Sequence, residues 1–171
     1  LIGAIIMTHG DDRGLRLPPQ VAPIQVVVLP IAAHKPGVLE GAKVIADRLT
    51  AAGVRVKFDD RDTVSPGWKF NEWELKGVPV RLEVGPRDLE NNQVMVARRD
   101  TFEKFALPMD GLEGEIEALL ASIQPGDFFA LNAFLPFTGE GRREALETIR
   151  HGVAEKRRVV SCLEVGPRYL H

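Results

Sequence analysis

The feature that most restricts the fold of this 171-residue chain is an alternation across residues 24–124, where short β-branched runs and stretches of helical periodicity take turns. Ile24-Gln25-Val26-Val27-Val28-Leu29-Pro30-Ile31 is apolar at nearly every position, as a buried strand requires. Val38, Leu39, Ala42, Ile45, Ala46 and Leu49 then recur at three- and four-residue spacing, which predicts one apolar helical face over 38–52 with Gly53 as its stop. Val54-Arg55-Val56-Lys57-Phe58 alternates as a second strand, and Asp59-Asp60-Arg61-Asp62 reads as a solvated acidic turn. Ser65-Pro66 supplies an N-cap and a first helical proline for a second helix through Lys76. A strand, helix, strand, helix order implies a parallel pair with a right-handed crossover.

Further strands are expected over 78–84 and 93–97, separated by Gly85-Pro86-Arg87-Asp88-Leu89, with Asn91-Asn92 as turn chemistry. Residues 101–107 add an edge strand and 112–123 a last amphipathic helix. The expected domain is a three-layer α/β/α sandwich around a mixed sheet of about five strands. Upstream, residues 1–15 read as a helix closed by Gly10 and Gly14, and Leu17-Pro18-Pro19-Gln20-Val21-Ala22-Pro23 as a stiff connector. The organisation is therefore 1–23, 24–124, and a tail over 125–171 that begins at the break Pro125-Gly126.

Composition removes several functions. Twenty-two basic against 24 acidic residues give a net charge of −2, so no bulk basic field draws the chain to nucleic acid and any such binding rests on a local arrangement. A lone Cys162 forms neither an internal disulfide nor a cysteine cage for zinc, which points to a reducing compartment. The apolar run 1–7 lacks a basic flank and is too short for a signal peptide, and no window reaches the roughly 20 apolar residues of a membrane span. No phosphate-cradling glycine loop follows the strands. His9, His34, His151 and His171 are scattered, Ser65, Ser122 and Ser161 lack a nucleophile's context, and Asp11-Asp12 and Asp59-Asp60 suit turns better than acid/base pairs.

The densest stretch is Gly67-Trp68-Lys69-Phe70-Asn71-Glu72-Trp73-Glu74-Leu75-Lys76-Gly77-Val78-Pro79 followed by Arg81-Leu82-Glu83-Val84-Gly85-Pro86-Arg87-Asp88-Leu89. On a helix, Lys69, Glu72, Trp73 and Lys76 share one side. Such a side contacts phosphate through lysine, base edges through glutamate and base faces through an aromatic ring; equally, Phe70 and Trp73 serve as core while Lys–Glu pairs solvate the helix. Arg81 flanks the same region, and Arg98-Arg99 makes a local positive spot.

These two motifs resemble the anticodon-binding domain of the prolyl-tRNA synthetase family, of the archaeal and eukaryotic-like type. Leu1-Ile2-Gly3-Ala4-Ile5-Ile6-Met7-Thr8-His9-Gly10-Asp11-Asp12 with Gly14-Leu15 and Leu17-Pro18-Pro19 is similar to the end of that family's class II catalytic domain and its connector, so the likeness covers about residues 1–122. The resemblance implies a piece of an enzyme that attaches proline to its tRNA in the cytoplasm, using ATP and Mg in the full-length, homodimeric protein, with the catalytic motifs upstream of Leu1 and no cofactor in the piece itself. It implies proline tRNA as partner, neither DNA nor membrane, and Lys69, Phe70, Glu72, Trp73, Glu74, Lys76, Arg81 and Arg87 as anticodon contacts or their supports. Proline anticodons share two guanines, whose N1 and N2 donors suit a glutamate and whose O6 and N7 acceptors suit lysine or arginine. Gly77 and Pro79 then serve the sharp turn between helix and strand.

The tail departs from that family. It carries a charged helical stretch over 140–156 and repeats the hexamer Leu82-Glu83-Val84-Gly85-Pro86-Arg87 as Leu163-Glu164-Val165-Gly166-Pro167-Arg168, without a second copy of the preceding helix. A truncated or frame-shifted gene would explain both the tail and the missing initiator Met; genuine divergence is the alternative. The competing readings are a stand-alone tRNA-binding module of the same fold and a small α/β ligand-binding domain.

Overall fold

The alternation read from the sequence is realised in the computed structural model, which describes residues 2–123, 128–134, 142–157 and 160–166. After α1 (Ile2–His9), β1 (Gly10–Asp11) pairs antiparallel with β2 (Gly14–Leu15). The sheet and its helices follow as β3 (Val26–Pro30), α2 (Val38–Ala51), β4 (Val56–Phe58), α3 (Pro66–Leu75), β5 (Val80–Val84), α4 (Pro86–Glu90), β6 (Gln93–Arg98), β7 (Lys104–Pro108) and α5 (Leu112–Ser122). The tail holds β8 (Phe128–Phe134), α6 (Arg142–Arg157) and β9 (Val160–Gly166). Contacts divide the chain into two units, Gly10–Pro125 and a second made of Leu1–His9 with Gly126–His171.

In the first unit the strand order is β4-β3-β5-β6-β7, parallel across β4, β3 and β5 and antiparallel across β5, β6 and β7. This is the mixed five-stranded sheet expected from the sequence. All five residues of β3 are buried because helices cover both faces of that strand. Val26 and Val28 join Val80, Leu82 and the buried face of α2, with Leu112 and Ile116 of α5, in one cluster. Val27 and Leu29 point the other way, to Trp73 of α3 and Val78. Each such aliphatic side chain contributes about 1.5–3 kcal/mol on burial, so the period-2 alternation of β3 joins the two layers.

Several local expectations are corrected. Leu39, assigned to the apolar face of α2, is 37% exposed, while Val38, Ala42, Ile45, Ala46 and Leu49 are buried. Gly85-Pro86-Arg87-Asp88-Leu89 is not a plain break, since residues 86–90 form α4, with the Asp88 carboxylate accepting from the Gly85 N–H at 2.9 Å. The edge strand begins at Lys104, because a turn occupies residues 99–103. Residues 10–23 belong to the same unit as the sheet. Leu17 N–H donates to the Gly77 carbonyl, and Arg55 donates to the carbonyls of Pro19 at 2.6 Å and Ala22 at 3.0 Å. Gly77 has φ +74°, and a Cβ there would meet Leu15 at 2.6 Å, so only glycine allows this close approach.

In the second unit β8 and β9 run parallel in register Phe128 to Val160 through Phe134 to Gly166, joined by α6. The second hexamer thus begins within β9; Pro167 and Arg168, like the predicted break at Pro125-Gly126, lie outside the described residues. Among the described residues no helix is long and apolar enough to cross a membrane.

Candidate nucleic-acid interface

The sequence that makes α3 also decides which of its side chains are free. Ser65 caps it, its hydroxyl accepting from Trp68 N–H at 3.3 Å, and Pro66 starts the first turn. Counting from that start, Lys69 and Trp73 turn inward and are each 5% exposed.

Facing them is Asp59 at the end of β4, which is 1% exposed rather than the solvated turn residue expected from the sequence. Its carboxylate accepts from Trp73 Nε1 at 2.7 Å, Arg61 Nε at 2.8 Å and Arg61 Nη2 at 2.6 Å, while Lys69 Nζ lies 3.7 Å away and donates to the Asp59 carbonyl at 3.1 Å. Burial alone would raise the Asp59 pKa. The hydrogen bonds from Arg61 and Trp73 and the Lys69 charge outweigh it and hold the carboxyl well below its ordinary range. Arg61 reaches on to Glu72 at 2.6 Å, and Lys76 Nζ meets the other Glu72 oxygen at 2.6 Å while lying 4.5 Å from the centre of the Trp73 ring. Lys76 and then Arg61 lower the Glu72 pKa by hydrogen bonding. On this side of α3, bordered by a groove of about 220 Å³ that Lys57, Asp60, Arg61 and Lys76 help to line, the charges of Asp59, Lys69 and Glu72 are all matched.

The other side of α3 is arranged differently. A groove of about 140 Å³ is lined there by Arg13, Trp73, Glu74, Arg81, Arg99 and Phe102, among others. One Glu74 oxygen accepts from Arg13 at 3.3 Å, and the second has no protein partner among the described residues. Arg81, on β5, donates through Nε to Glu83 at 3.2 Å and lies 4.3 Å over the Phe70 ring, which leaves its terminal nitrogens to the groove. Glu83, only 6% exposed, is held in place by Lys104 at 2.6 Å as well. Acceptor, donor and aromatic ring therefore converge on open space with unused hydrogen-bonding capacity.

The structure divides the residues that the sequence singled out. Glu74 and Arg81 line the groove together with Trp73, and Phe70 lies against Arg81. Lys69, Glu72 and Lys76 form the ionic cluster on the opposite side around Trp73, which reaches both grooves, so the shared face read from helical spacing is an anchoring face, with Lys69 and Trp73 buried in it. Arg87 is exposed on α4, which packs with α2 and β6, and lines neither groove. The positive spot at Arg98-Arg99 is neutralised, Arg98 by Asp100 at 2.7 Å and the buried Arg99 by Asp11 at 2.6 Å. Asp59, Arg61, Arg13 and Phe102 were not among the expected site residues. Only Phe102 carried a local signal, an aromatic ring in a polar turn.

The family model described as the anticodon binding domain matches residues 25–119, spanning the whole sheet from β3 through β7 and most of α5. The chain belongs to the anticodon-binding domain family. It is similar to the proline–tRNA ligase of Alkaliphilus oremlandii, 61% identical over 123 residues, which are 72% of this chain and 25% of the relative. A proline–tRNA ligase 2 of Clostridioides difficile is 62% identical over 116 residues, 68% of this chain and 24% of the relative. In the enzyme of Symbiobacterium thermophilum the match extends over 136 residues at 52% identity, 78% of this chain and 28% of the relative. This anticodon-binding domain chain spans about a quarter of the length of the curated relatives it matches. The resemblance to prolyl-tRNA synthetase drawn from the two motifs around α3 and β5 is thus borne out.

Proposed function

We propose that the unit 10–125 recognises the anticodon of proline tRNA, serving a proline–tRNA ligase, and that the groove lined by Glu74 and Arg81 is where bases are read. The single observation carrying this reading is the contrast across α3. Glu74 keeps an unpartnered carboxylate oxygen and Arg81 keeps terminal donors, whereas Glu72 is saturated by Arg61 and Lys76. A guanine edge offers N1 and N2 donors to a carboxylate and O6 and N7 acceptors to a guanidinium, the complement of that pair. Phe70 supports Arg81 by cation–π contact at 4.3 Å. Lys69, Glu72, Trp73 and Lys76 act as supports that fix α3, and exposed Arg87 is assigned a phosphate contact outside the groove.

The wider assignments belong to the same proposal: ATP-dependent attachment of proline to tRNA, a homodimeric and cytoplasmic enzyme, and no role for DNA or membrane. ATP and Mg serve proline activation in such an enzyme. Among the described residues no group of three or more His, Cys, Asp or Glu is arranged to hold a metal ion. The test is binding of a proline anticodon stem-loop against one with both guanines replaced, at fixed salt. The expected result is tighter binding of the guanine form; equal affinity for both refutes specific reading.

A further inference from the structure

We propose that Phe102 is a stacking plate for an unpaired base of the bound RNA, beside the groups that read base edges; the inference rests on the anticodon reading above. Phe102 sits in the turn between β6 and β7, which the Arg98 N–H closes onto the Glu103 carbonyl at 2.9 Å. Its φ is +60°, in the left-handed region that glycine and asparagine favour and a bulky ring does not. It is 48% exposed and belongs to neither apolar cluster. Neither turn geometry nor core packing accounts for an aromatic ring there.

The ring is nevertheless held. The Arg13 guanidinium lies 4.5 Å and that of Arg99 5.2 Å from its centre. Arg99 is itself fixed, donating to the Glu74 carbonyl at 3.1 Å and through both terminal nitrogens to Asp11 at 2.6 and 2.8 Å. Phe102 therefore stands beside the fixed Arg99 and lines the same groove as Glu74 and Arg81. A half-exposed aromatic ring, the exposed Arg13 guanidinium for phosphate, and a carboxylate with a free oxygen are together what single-stranded RNA requires: stacking, charge neutralisation and edge recognition. A double helix presents no free base face, so the occupant is a loop nucleotide.

The test uses the full 171-residue chain and a synthetic proline anticodon stem-loop, with affinities by fluorescence anisotropy at fixed salt and folding by thermal melting. Phe102→Gly suits the backbone angle and should leave the melting temperature unchanged or raised, while RNA affinity falls roughly 5- to 150-fold. Phe102→Trp should retain affinity, and Phe102→Leu, apolar but without a π face, should behave like the glycine variant. Abasic substitution at one loop position should abolish the difference between wild type and Phe102→Gly, identifying the stacked base. Wild-type affinity in a folded Phe102→Gly chain, or full rescue by leucine, overturns the stacking role and leaves the anticodon reading standing. Absence of any RNA binding by the wild type overturns the anticodon reading, and with it this inference.

Discussion

The two sides of α3 use the same residue types to different ends. Toward β4, Asp59, Lys69, Arg61, Glu72 and Lys76 satisfy one another around the Trp73 indole; toward β5, Glu74 and Arg81 are only partly satisfied and face a groove. Glu72 and Glu74 are two residues apart, equal in charge and in side-chain exposure at 17%. What separates them is the number of cations that the fold brings to each. Charge counted along the sequence is therefore a poor guide to which carboxylate meets a ligand, and unused hydrogen-bonding capacity is a better one.

The largest test of that contrast is on stability. Asp59→Ala strands the buried Lys69 and frees the Trp73 N–H, which should cost about 3–5 kcal/mol in chemical denaturation, with RNA affinity retained while the chain is folded. A loss below about 1 kcal/mol would show that the cluster does not anchor α3. The complementary change, Glu74→Gln, should move stability by less than about 0.5 kcal/mol and weaken RNA binding by about 1–3 kcal/mol, as should Arg81→Ala for binding. Acid sharpens the same division. Asp59, Asp11 and Glu72 all have depressed pKa values in the folded chain, so the stability they contribute is fully present above the unfolded carboxyl range near about pH 4 and is lost as pH falls through their folded values. Denaturation midpoints should accordingly be flat from about pH 5 to 8 and drop below about pH 4, less steeply in Asp59→Asn. The smallest effect is expected for Lys76→Ala, whose exposed i,i+4 pair with Glu72 is worth about 0.5 kcal/mol or less, with no change in RNA affinity.

How far the sequence discloses this molecule depends on the range of the interaction. The strands and helices between 24 and 124 were legible because periodicity and caps are local, as at Val38–Leu49 and Ser65-Pro66. Gly77 was rightly read as a shape residue at the turn leaving α3. The fate of Asp59 was not legible. Its partners lie two, ten and fourteen residues away on α3 and the loop before it, and they meet it because Trp73 packs α3 on Val27 and Leu29 of β3, beside which β4 pairs. Arg99 was misread as a free positive charge for the same reason, since its counter-ion Asp11 lies 88 residues earlier. Helical spacing correctly grouped Lys69, Glu72, Trp73 and Lys76, yet spacing alone does not say whether a face looks to solvent or to the sheet.

On the proposed reading, Glu74 and not Glu72 meets a guanine edge. Replacing one anticodon guanine at a time by inosine removes only the N2 donor, and affinities are then compared for the wild type, Glu74→Gln and Glu72→Gln. Wild type and Glu72→Gln should discriminate guanine from inosine at one position, and Glu74→Gln should not. Full discrimination by Glu74→Gln, with its loss in Glu72→Gln, would move the reading surface to the other side of α3.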